Sequence, residues 1–270
     1  MLVLLLPALA VVVCLLVMPM AWLSWQSIWH DGFTLENYRR FFTDSVYFLT
    51  FLQTFRIAVI VTAVTLVLGY PVAFVAAQLP RRWSLCVLAL VVLPFWTSVL
   101  VRAYAWMILL QRTGLINTGL RRLGIIDAPL ALANNELGTI IATVHILLPF
   151  MVLPLYATMQ KIPAELTMAG ASLGGAPLHV FRRVFLPLSM PGIVAGTVLV
   201  FVLALGFYIT PELLGGGRAF MVSMLVSRNV EVYNEWGAAS SISVVLLLCV
   251  AAIFWVGSRI IPTEKLMGMR

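Results

Sequence analysis

Residues 57–80 read IAVIVTAVTLVLGYPVAFVAAQLP, an apolar stretch that lies between Arg56 and Arg81. A transmembrane helix needs about 20 mostly apolar residues to cross roughly 30 Å of hydrocarbon. This stretch has that length and carries no charge, and it is apolar all round rather than along one face. It therefore predicts a helix that crosses a membrane.

Five further windows have the same character, and charged or loop residues end each of them. They are residues 1–29, 83–101 (continuing past Arg102), 137–160, 184–211 and 236–258. Only 10% of the residues are charged and 62% are hydrophobic, whereas about a quarter of a soluble domain is charged. The run VVLLL at 244–248 also lacks the alternation of a barrel strand. We predict an all-α integral membrane protein with about six transmembrane helices in a single domain over residues 1–270.

The first window and the three cysteines have simple interpretations. The window exceeds the roughly 7 to 15 apolar residues of a signal-peptide core, and no basic residue precedes it, so we expect a retained helix. Cys14, Cys86 and Cys249 lie inside windows without the spacing of metal ligands. We expect them to be packing residues, and we expect no metal site.

Six spans place both termini on the same side of the membrane, and the distribution of charge favours the cytoplasm. With that orientation the inner segments carry eight basic and two acidic residues, and the outer loops carry seven and eight. The positive-inside rule counts Lys and Arg, so its margin here is small. A basic inner surface that faces anionic lipid and a partner protein explains the net charge of +7 without a nucleic-acid partner.

The connection between the fourth and fifth windows, residues 158–192, is the longest segment on the proposed inner side. Pro163 suits the start of a helix, Glu165 complements the positive helix end, and Gly174 and Gly175 interrupt the chain. These signals predict two short helices around a tight turn.

The second short helix is amphipathic. Its apolar residues recur at helical spacing, and basic residues lie between them: Leu178, Phe181, Val184 and Phe185 form the first set, and His179, Arg182 and Arg183 the second. We expect Pro187 and Pro191 to end this helix before the fifth span. It either lies on the membrane surface or docks into a groove of a soluble partner.

Residues 168–174, MAGASLG, and residues 184–187, VFLP, resemble the cytoplasmic loop of binding-protein-dependent ATP-binding cassette (ABC) importer permeases. That loop is written EAA, three residues, Gly, and about nine residues before an apolar-x-Leu-Pro. With Gly174 as the loop glycine, Met168, Ala169 and Gly170 occupy the EAA positions. The family glutamate is therefore absent, and Glu165 lies about one turn earlier.

Three other stretches resemble the spermidine/putrescine-type members of this family. They are RAYAW at 102–106 with GLIN at 114–117, HILLPFMVLPLY at 145–156, and FYITPELLGG at 207–216. Their order and spacing extend the resemblance over nearly the whole chain.

The resemblance implies a type I importer of the bacterial inner membrane. In such importers two permease subunits form the pore, two cytoplasmic ATPases bind the loops, and a periplasmic protein delivers the substrate. ATP and Mg²⁺ belong to the ATPase, and no cofactor is expected on this chain, which is a transport subunit rather than an enzyme. The Gly215–Gly217 run lacks the Lys-Ser/Thr of a phosphate-binding loop. The coupling residues that this implies are Glu165, Met168, Ala169, Gly170, Gly174, His179, Arg182 and Arg183.

Ionisable residues within spans are costly and usually face the protein interior or an aqueous path. Arg102 either lines such a path or extends to the outer headgroups, and it would repel a cation. Glu212 is a better ligand for a cation, because Gly206, Pro211 and the triple glycine predict a broken helix that can line a cavity. The alternative is that Glu212 caps the outer end of the fifth span.

Aromatic rings near Glu212 could contact an ammonium group. The candidate substrate-path residues are Glu212, Tyr208, Phe207, Trp96 and Tyr104. His145, which lies among apolar residues, is expected to be a hydrogen-bonded packing residue.

By resemblance the first-choice substrate is a polyamine, spermidine or putrescine. The same machinery could instead carry amino acids, opines or other small organic ions. A stand-alone secondary transporter would need paired acids within its spans, and none of the six windows contains them.

Overall fold

The computed structural model describes residues 2–29 and 32–260. The described chain is helical, with one isolated antiparallel bridge between Trp29 and Phe33. In chain order the helices are α1 (Leu2–Ile28), α2 (Glu36–Thr43), α3 (Ser45–Gln78), α4 (Arg81–Val92), a 3₁₀-helix (Leu93–Trp96), α5 (Val99–Leu110), α6 (Leu115–Arg122), α7 (Glu136–Met159), α8 (Ala164–Ser172), α9 (Pro177–Val180), a π-helix (Phe181–Phe185), α10 (Leu186–Leu205), α11 (Ile209–Leu214), α12 (Val222–Glu231) and α13 (Trp236–Ile260).

Six stretches of the described chain are long and apolar enough to cross a membrane, as the six windows predict. They are Ala10–Ile28, Ser45–Gln78, Val99–Arg122, Glu136–Met159, Pro177–Leu205 and Trp236–Val256. The all-α prediction is confirmed.

The third of these stretches differs from its predicted window, 83–101. The helix that begins at Arg81 gives way to the 3₁₀-helix at Leu93, and a new helix begins at Val99. Pro94 lies in that 3₁₀ turn, where its missing N–H breaks the regular α-helical hydrogen bonding. The apolar window therefore covers α4 and only the start of α5.

The described residues form two compact units. The first consists of the chain up to Gln53 together with Met221–Ala252, and the second of Thr54–Phe220 together with the end of α13. The single permease domain over residues 1–270 stays a prediction.

Two polar contacts in the first unit link the short helix α2 to α1 and to the start of α13. Ser27 of α1 and Tyr38 of α2 share a hydrogen bond of 2.7 Å. Arg40 of α2 forms an ion pair of 3.1 Å with Glu235 at the start of α13. The helix α12 was not predicted, because ten residues are too few for a membrane window, yet Val222 and Leu225 on it are buried.

The core of the second unit is the packing of α7 against α10, with α4, α5 and α11 also against α7. Gly192 and Gly196 of α10 permit this close approach, in the G-x-x-x-G spacing common between membrane helices. A Cβ at Gly192 would lie 2.9 Å from Cβ of Thr158 and 3.0 Å from the carbonyl oxygen of Pro154, both on α7.

The N-terminal end of α7 is capped. The Asn135 side chain accepts a hydrogen bond of 2.9 Å from the backbone N–H of Gly138, as an N-cap does. Glu136 in the first turn forms an ion pair with Arg56 of α3. This pair fixes the start of α7 beside α3.

Candidate functional site

We call residues 158–192, which carry the predicted coupling residues, the coupling segment. Its first short helix is α8. It begins directly after Pro163 and carries Glu165 in its first turn. Gly174 ends it with φ +81°, a left-handed conformation that favours glycine, although a Cβ there would meet no atom within 4 Å. The predicted turn at Gly174 is confirmed. Glycine is favoured at this position by the positive φ, and not by a lack of space for a side chain.

The structure leaves most of the predicted coupling residues at the surface. The exposed ones are Glu165, Met168, Ala169, Gly174, His179, Arg182 and Arg183. Gly170 differs, because it is half-buried and a Cβ there would lie 3.3 Å from both methyl groups of Val180. Gly170 thus allows α8 to pack against the second helix of the segment.

Large apolar side chains are also exposed on this segment. Leu173 is 90% exposed, Met168 and Leu178 are each 59% exposed, and Leu166 is 44% exposed. Together with the basic residues Arg182 and Arg183, they form a mixed apolar and basic surface. Such a surface is typical of a site that binds another protein.

The second helix of the segment does not end where the sequence predicts. From Pro177 the chain passes through the π-helix into α10 and remains helical to Leu205. Pro187 lies in the first turn of α10, and Pro191 lies inside it. The prediction that these prolines end the helix is wrong, because the π-helix and a membrane setting can accommodate their missing N–H groups.

Four aromatic residues connect this helix to the end of α3, and we call them the aromatic cluster: Tyr70, Phe74, Phe181 and Phe185. The ring of Phe74 meets Phe181 and Phe185 edge to face, with centroid distances of 5.8 and 4.9 Å. Phe181 and Phe185 stack at 6.1 Å, and Tyr70 meets Phe181 at the same distance.

A hydrogen bond supports the aromatic cluster. Ser189 Oγ lies 2.9 Å from the carbonyl oxygen of Leu186 and 3.0 Å from the hydroxyl of Tyr70. Since the serine hydroxyl has one proton and donates it to the carbonyl, Tyr70 donates to Ser189. The end of α3 is therefore tied to the start of α10 by both ring packing and a polar contact.

A cavity of about 500 Å³ opens beside the aromatic cluster. Phe74 and Gln78 of α3, Met159 of α7, Thr167 of α8 and Phe181 are among its lining residues. The cavity leaves α8 without dense packing on this side. The contacts between the coupling segment and the spans therefore lie mainly on the helix that begins at Pro177.

The predicted break after the fifth span is confirmed. The helix α10 ends at Leu205, and the short helix α11 follows after Gly206. Gly216 and Gly217 then turn the chain with φ of +54° and +78°. Glu212 lies in the first turn of α11, so it does not cap the end of α10.

The structure brings together the helices that carry two of the candidate substrate-path residues. The helix α11, which carries Glu212, packs against α5, which carries Tyr104. Trp96 is 82% exposed, and Tyr104 and Tyr208 are 48% and 36% exposed. Glu212 is exposed as well, and Phe207 is half-buried.

Arg102 is buried, with only 7% of its surface exposed, so it does not extend to the headgroups. Its guanidinium lies over the ring of Phe95 at 5.9 Å. One turn further along α5, Trp106 Nε1 donates a hydrogen bond of 3.2 Å to Nδ1 of His145. The interpretation of His145 as a hydrogen-bonded packing residue is confirmed.

The aromatic cluster is a connection that was not predicted from the sequence. Tyr70 and Phe74 are four residues apart, as are Phe181 and Phe185, and this spacing puts each pair on one helix face. The spacing in the sequence thus indicated that the two rings of each pair lie on one helix face. The contact between the pairs appears only in the folded chain.

Comparison with known proteins now connects this geometry to a family. Residues 66–262 match the family described as "Binding-protein-dependent transport system inner membrane component". The chain is 38% identical over 232 residues to the spermidine/putrescine transport system permease protein PotB of Escherichia coli strain K12, covering 85% of this chain and 84% of PotB. It is 36% identical over 226 residues to PotB of Haemophilus influenzae, covering 84% and 79%.

A solved structure has the same fold. In the crystal structure of a bacterial alginate ABC transporter in complex with an alginate pentasaccharide-bound periplasmic protein, one chain superposes with a TM-score of 0.71 at 16% identity. The match covers 95% of this chain and 92% of that one. The type I permease fold expected from the sequence is confirmed. This multi-pass inner-membrane chain belongs to the family of binding-protein-dependent transport system inner membrane components, and it is a permease subunit of an ABC importer.

Proposed function

We propose that this permease imports polyamines, spermidine or putrescine, at the expense of ATP hydrolysed on a separate subunit. The observation that carries the proposal is the 38% identity to a spermidine/putrescine permease over 85% of the chain. The identity extends over most of both proteins and therefore includes the spans as well as the coupling segment.

The proposed assembly contains a second permease subunit, two cytoplasmic ATPases and a periplasmic binding protein. The family description, with its binding-protein-dependent transport, supports this composition, as does the periplasmic protein in the related alginate transporter. ATP and Mg²⁺ would bind to the ATPases, and this chain would need no cofactor.

The proposed orientation has both termini in the cytoplasm, with residues 158–192 on the same side. The exposed apolar and basic surface of that segment supports it, because an ATPase can bind there only from the cytoplasm. Some of the charges that favour this orientation lie outside the described residues: Asp31, the side chain of Arg259 and residues 261–270.

In the proposed coupling, the surface of α8 and of the following turn sits in a groove of the ATPase. Glu165 and Met168 are three residues apart, and both are exposed, so they lie on one face of α8. Met168 occupies the position of the family glutamate. We infer that Glu165 supplies the anionic contact from one turn earlier.

A charge-relocation experiment tests this assignment. Glu165→Gln should reduce co-purification of the ATPase with the permease, and Met168→Glu in the same chain should restore it. Met168→Glu alone keeps Glu165 and serves as the matched control, with the ATPase still bound. If Glu165→Gln binds the ATPase as the unchanged chain does, Glu165 is not the anionic contact.

The proposed substrate path runs along the broken helix after α10, where Glu212 would attract an ammonium group. Phe207, Tyr208, Trp96 and Tyr104 would offer ring faces to the same cation. Arg102 would not be a ligand, since its charge repels cations. Glu212→Gln should raise the spermidine concentration at half-maximal uptake, and Glu231→Gln, an exposed acid on α12, is the control. Unchanged uptake by the Glu212 variant would remove Glu212 from the path.

The decisive experiment for the substrate is uptake by the complete importer in proteoliposomes. With ATP inside, binding protein outside and radiolabelled spermidine, we expect accumulation that stops when ATP is omitted. A tenfold excess of putrescine should compete, and the same excess of arginine or glutamate should not. Accumulation of an amino acid in place of spermidine would refute polyamine import while keeping the family assignment.

A further inference from the structure

The loop that follows α5 is held in one conformation by a single buried amide. Asn117 on α6 is completely buried. Its Nδ2 donates hydrogen bonds of 3.0 Å to the carbonyl oxygens of Gln111 and Leu130, and its Oδ1 accepts one of 2.8 Å from the N–H of Leu130. Asn117 therefore fixes the two ends of the 111–130 segment to each other.

The segment fixed in this way forms an open surface cavity of about 450 Å³. The lining residues are Arg112, Thr113, Thr118, Arg121, Arg122 and Pro129. Arg112 is next to Gln111 and Pro129 is next to Leu130, so the Asn117 hydrogen bonds position both walls. The backbone that carries the lining residues is thus fixed before any ligand arrives.

The cavity has an uncompensated positive charge. Its lining contains three arginines and no acid, and Asp127 of the same loop is not among the lining residues. The ion pairs found within residues 2–29 and 32–260 engage Arg40 and Arg56, and not these three arginines. Guanidinium forks and threonine hydroxyls together suit the oxygens of a phosphate group.

Exposed apolar side chains in the same 111–130 segment indicate where that phosphate comes from. Leu115, Leu123 and Ile125 are 73%, 75% and 65% exposed. Ile116, in contrast, packs inward against the cluster around Leu110. The lining arginines lie in the second half of the third membrane-crossing stretch, Val99–Arg122, and two of them end it, which puts the cavity at a membrane boundary. A group that carries phosphate beside hydrocarbon is a phospholipid.

We propose that Arg112, Arg121 and Arg122 bind the phosphate of an anionic phospholipid, with Leu115, Leu123 and Ile125 against its acyl chains. A soluble phosphate ion would use the arginines but gain nothing from the apolar neighbours. The site depends on the loop geometry and on the membrane boundary, and not on the identity of the transported solute.

The test uses the purified importer complex in nanodiscs that contain phosphatidylcholine with or without phosphatidylglycerol. Native mass spectrometry counts the phosphatidylglycerol molecules that remain bound to the complex. Each of Arg112→Gln, Arg121→Gln and Arg122→Gln should weaken retention about fivefold, the worth of one basic residue near an anionic membrane surface. Arg39→Gln is the matched control, because Arg39 is also exposed but shares its cavity with Glu36.

Each result has a definite meaning. Selective loss in the three variants with an unchanged Arg39→Gln supports the lipid site. Equal retention in all four variants, or equal loss in all four, overturns it. If the three variants retain phosphatidylglycerol as the unchanged chain does but bind less inorganic phosphate, the site binds free phosphate, and the proposal is overturned. If binding-protein affinity falls and lipid retention does not, the arginines bind a protein, and the proposal is also overturned.

Discussion

Replacement of Phe74 by leucine should partly uncouple ATP hydrolysis from transport. Phe74 lies at the end of α3 and meets both Phe181 and Phe185 edge to face at 5.8 and 4.9 Å. Leucine keeps an apolar side chain of useful size at that position but loses both ring contacts. Aromatic pairs contribute about 0.5–1.5 kcal/mol beyond the burial of area, so the two contacts together contribute about 1–3 kcal/mol.

That free energy equals a factor of roughly 5 to 150 in an equilibrium between two conformations. The surface of α8 that would bind the ATPase does not include Phe74, so we expect ATPase binding to persist. The measurement is spermidine transported per ATP hydrolysed in proteoliposomes. The ratio should fall at least about fivefold for Phe74→Leu, because the helix that begins at Pro177 then moves with less effect on α3.

The matched control is Phe55→Leu. The rings of Phe55 and Phe201 also join α3 to α10, at 6.0 Å, but far along both helices from the coupling segment. This variant should lose some stability and keep the wild-type ratio. The reasoning is refuted if Phe74→Leu transports with the wild-type ratio, or if Phe55→Leu lowers the ratio equally.

Four other substitutions have predicted outcomes in the isolated permease. Gly192→Ala should reduce the free energy of unfolding by about 1–3 kcal/mol, because α7 lies too close for a methyl group. Its control is Gly119→Ala. Because the space around Gly119 is open, this variant should be neutral or stabilising by up to about 1 kcal/mol. Thermal melting followed by tryptophan fluorescence compares the two. Glu136→Gln should cost less than about 1 kcal/mol, since its ion-pair partner Arg56 is exposed to solvent, and this difference should vanish in high salt. Asn117→Ala should make residues 111–130 sensitive to protease, because it leaves buried backbone groups without partners; resistance equal to wild type would contradict the role of this amide.

The spans could be predicted from the sequence because the bilayer requires each of them to be helical on its own. A stretch such as residues 57–80 must be helical whatever its neighbours do, since hydrocarbon satisfies no backbone hydrogen bond. The exception, around Pro94, shows the limit of that argument. Hydrophobicity remains high through the break, and only the local hydrogen bonding reveals that α4 ends there.

The coupling segment could be predicted in part. The turn at Gly174 and the exposed basic residues follow from local signals, and the structure has both. The π-helix could not be predicted, because its winding depends on how Phe181 and Phe185 pack against α3. Contacts between residues more than a hundred positions apart have no local signature in a single sequence.

Arg102 shows the same limit in the interior of the second unit. A sequence window cannot distinguish an arginine that extends to the surface from one that is covered by Phe95 and its neighbours. The distinction depends on which helices surround α5. Here the break at Pro94 folds Phe95 over the guanidinium, so one unpredicted turn determines the position of the charge.

The π-helix between Pro177 and Leu205 also sets an angular relationship. One residue of α-helix corresponds to about 100° of rotation and 1.5 Å of rise. A π turn contains about one residue more than an α turn. Conversion of the π-helix to α-helix would therefore rotate α9 by about 100° relative to α10. Arg182 and Arg183 lie inside the π-helix. The rotation of the basic face of the coupling segment about the helix axis, relative to the fifth span, therefore changes in discrete steps of one residue. It does not vary over a continuous range.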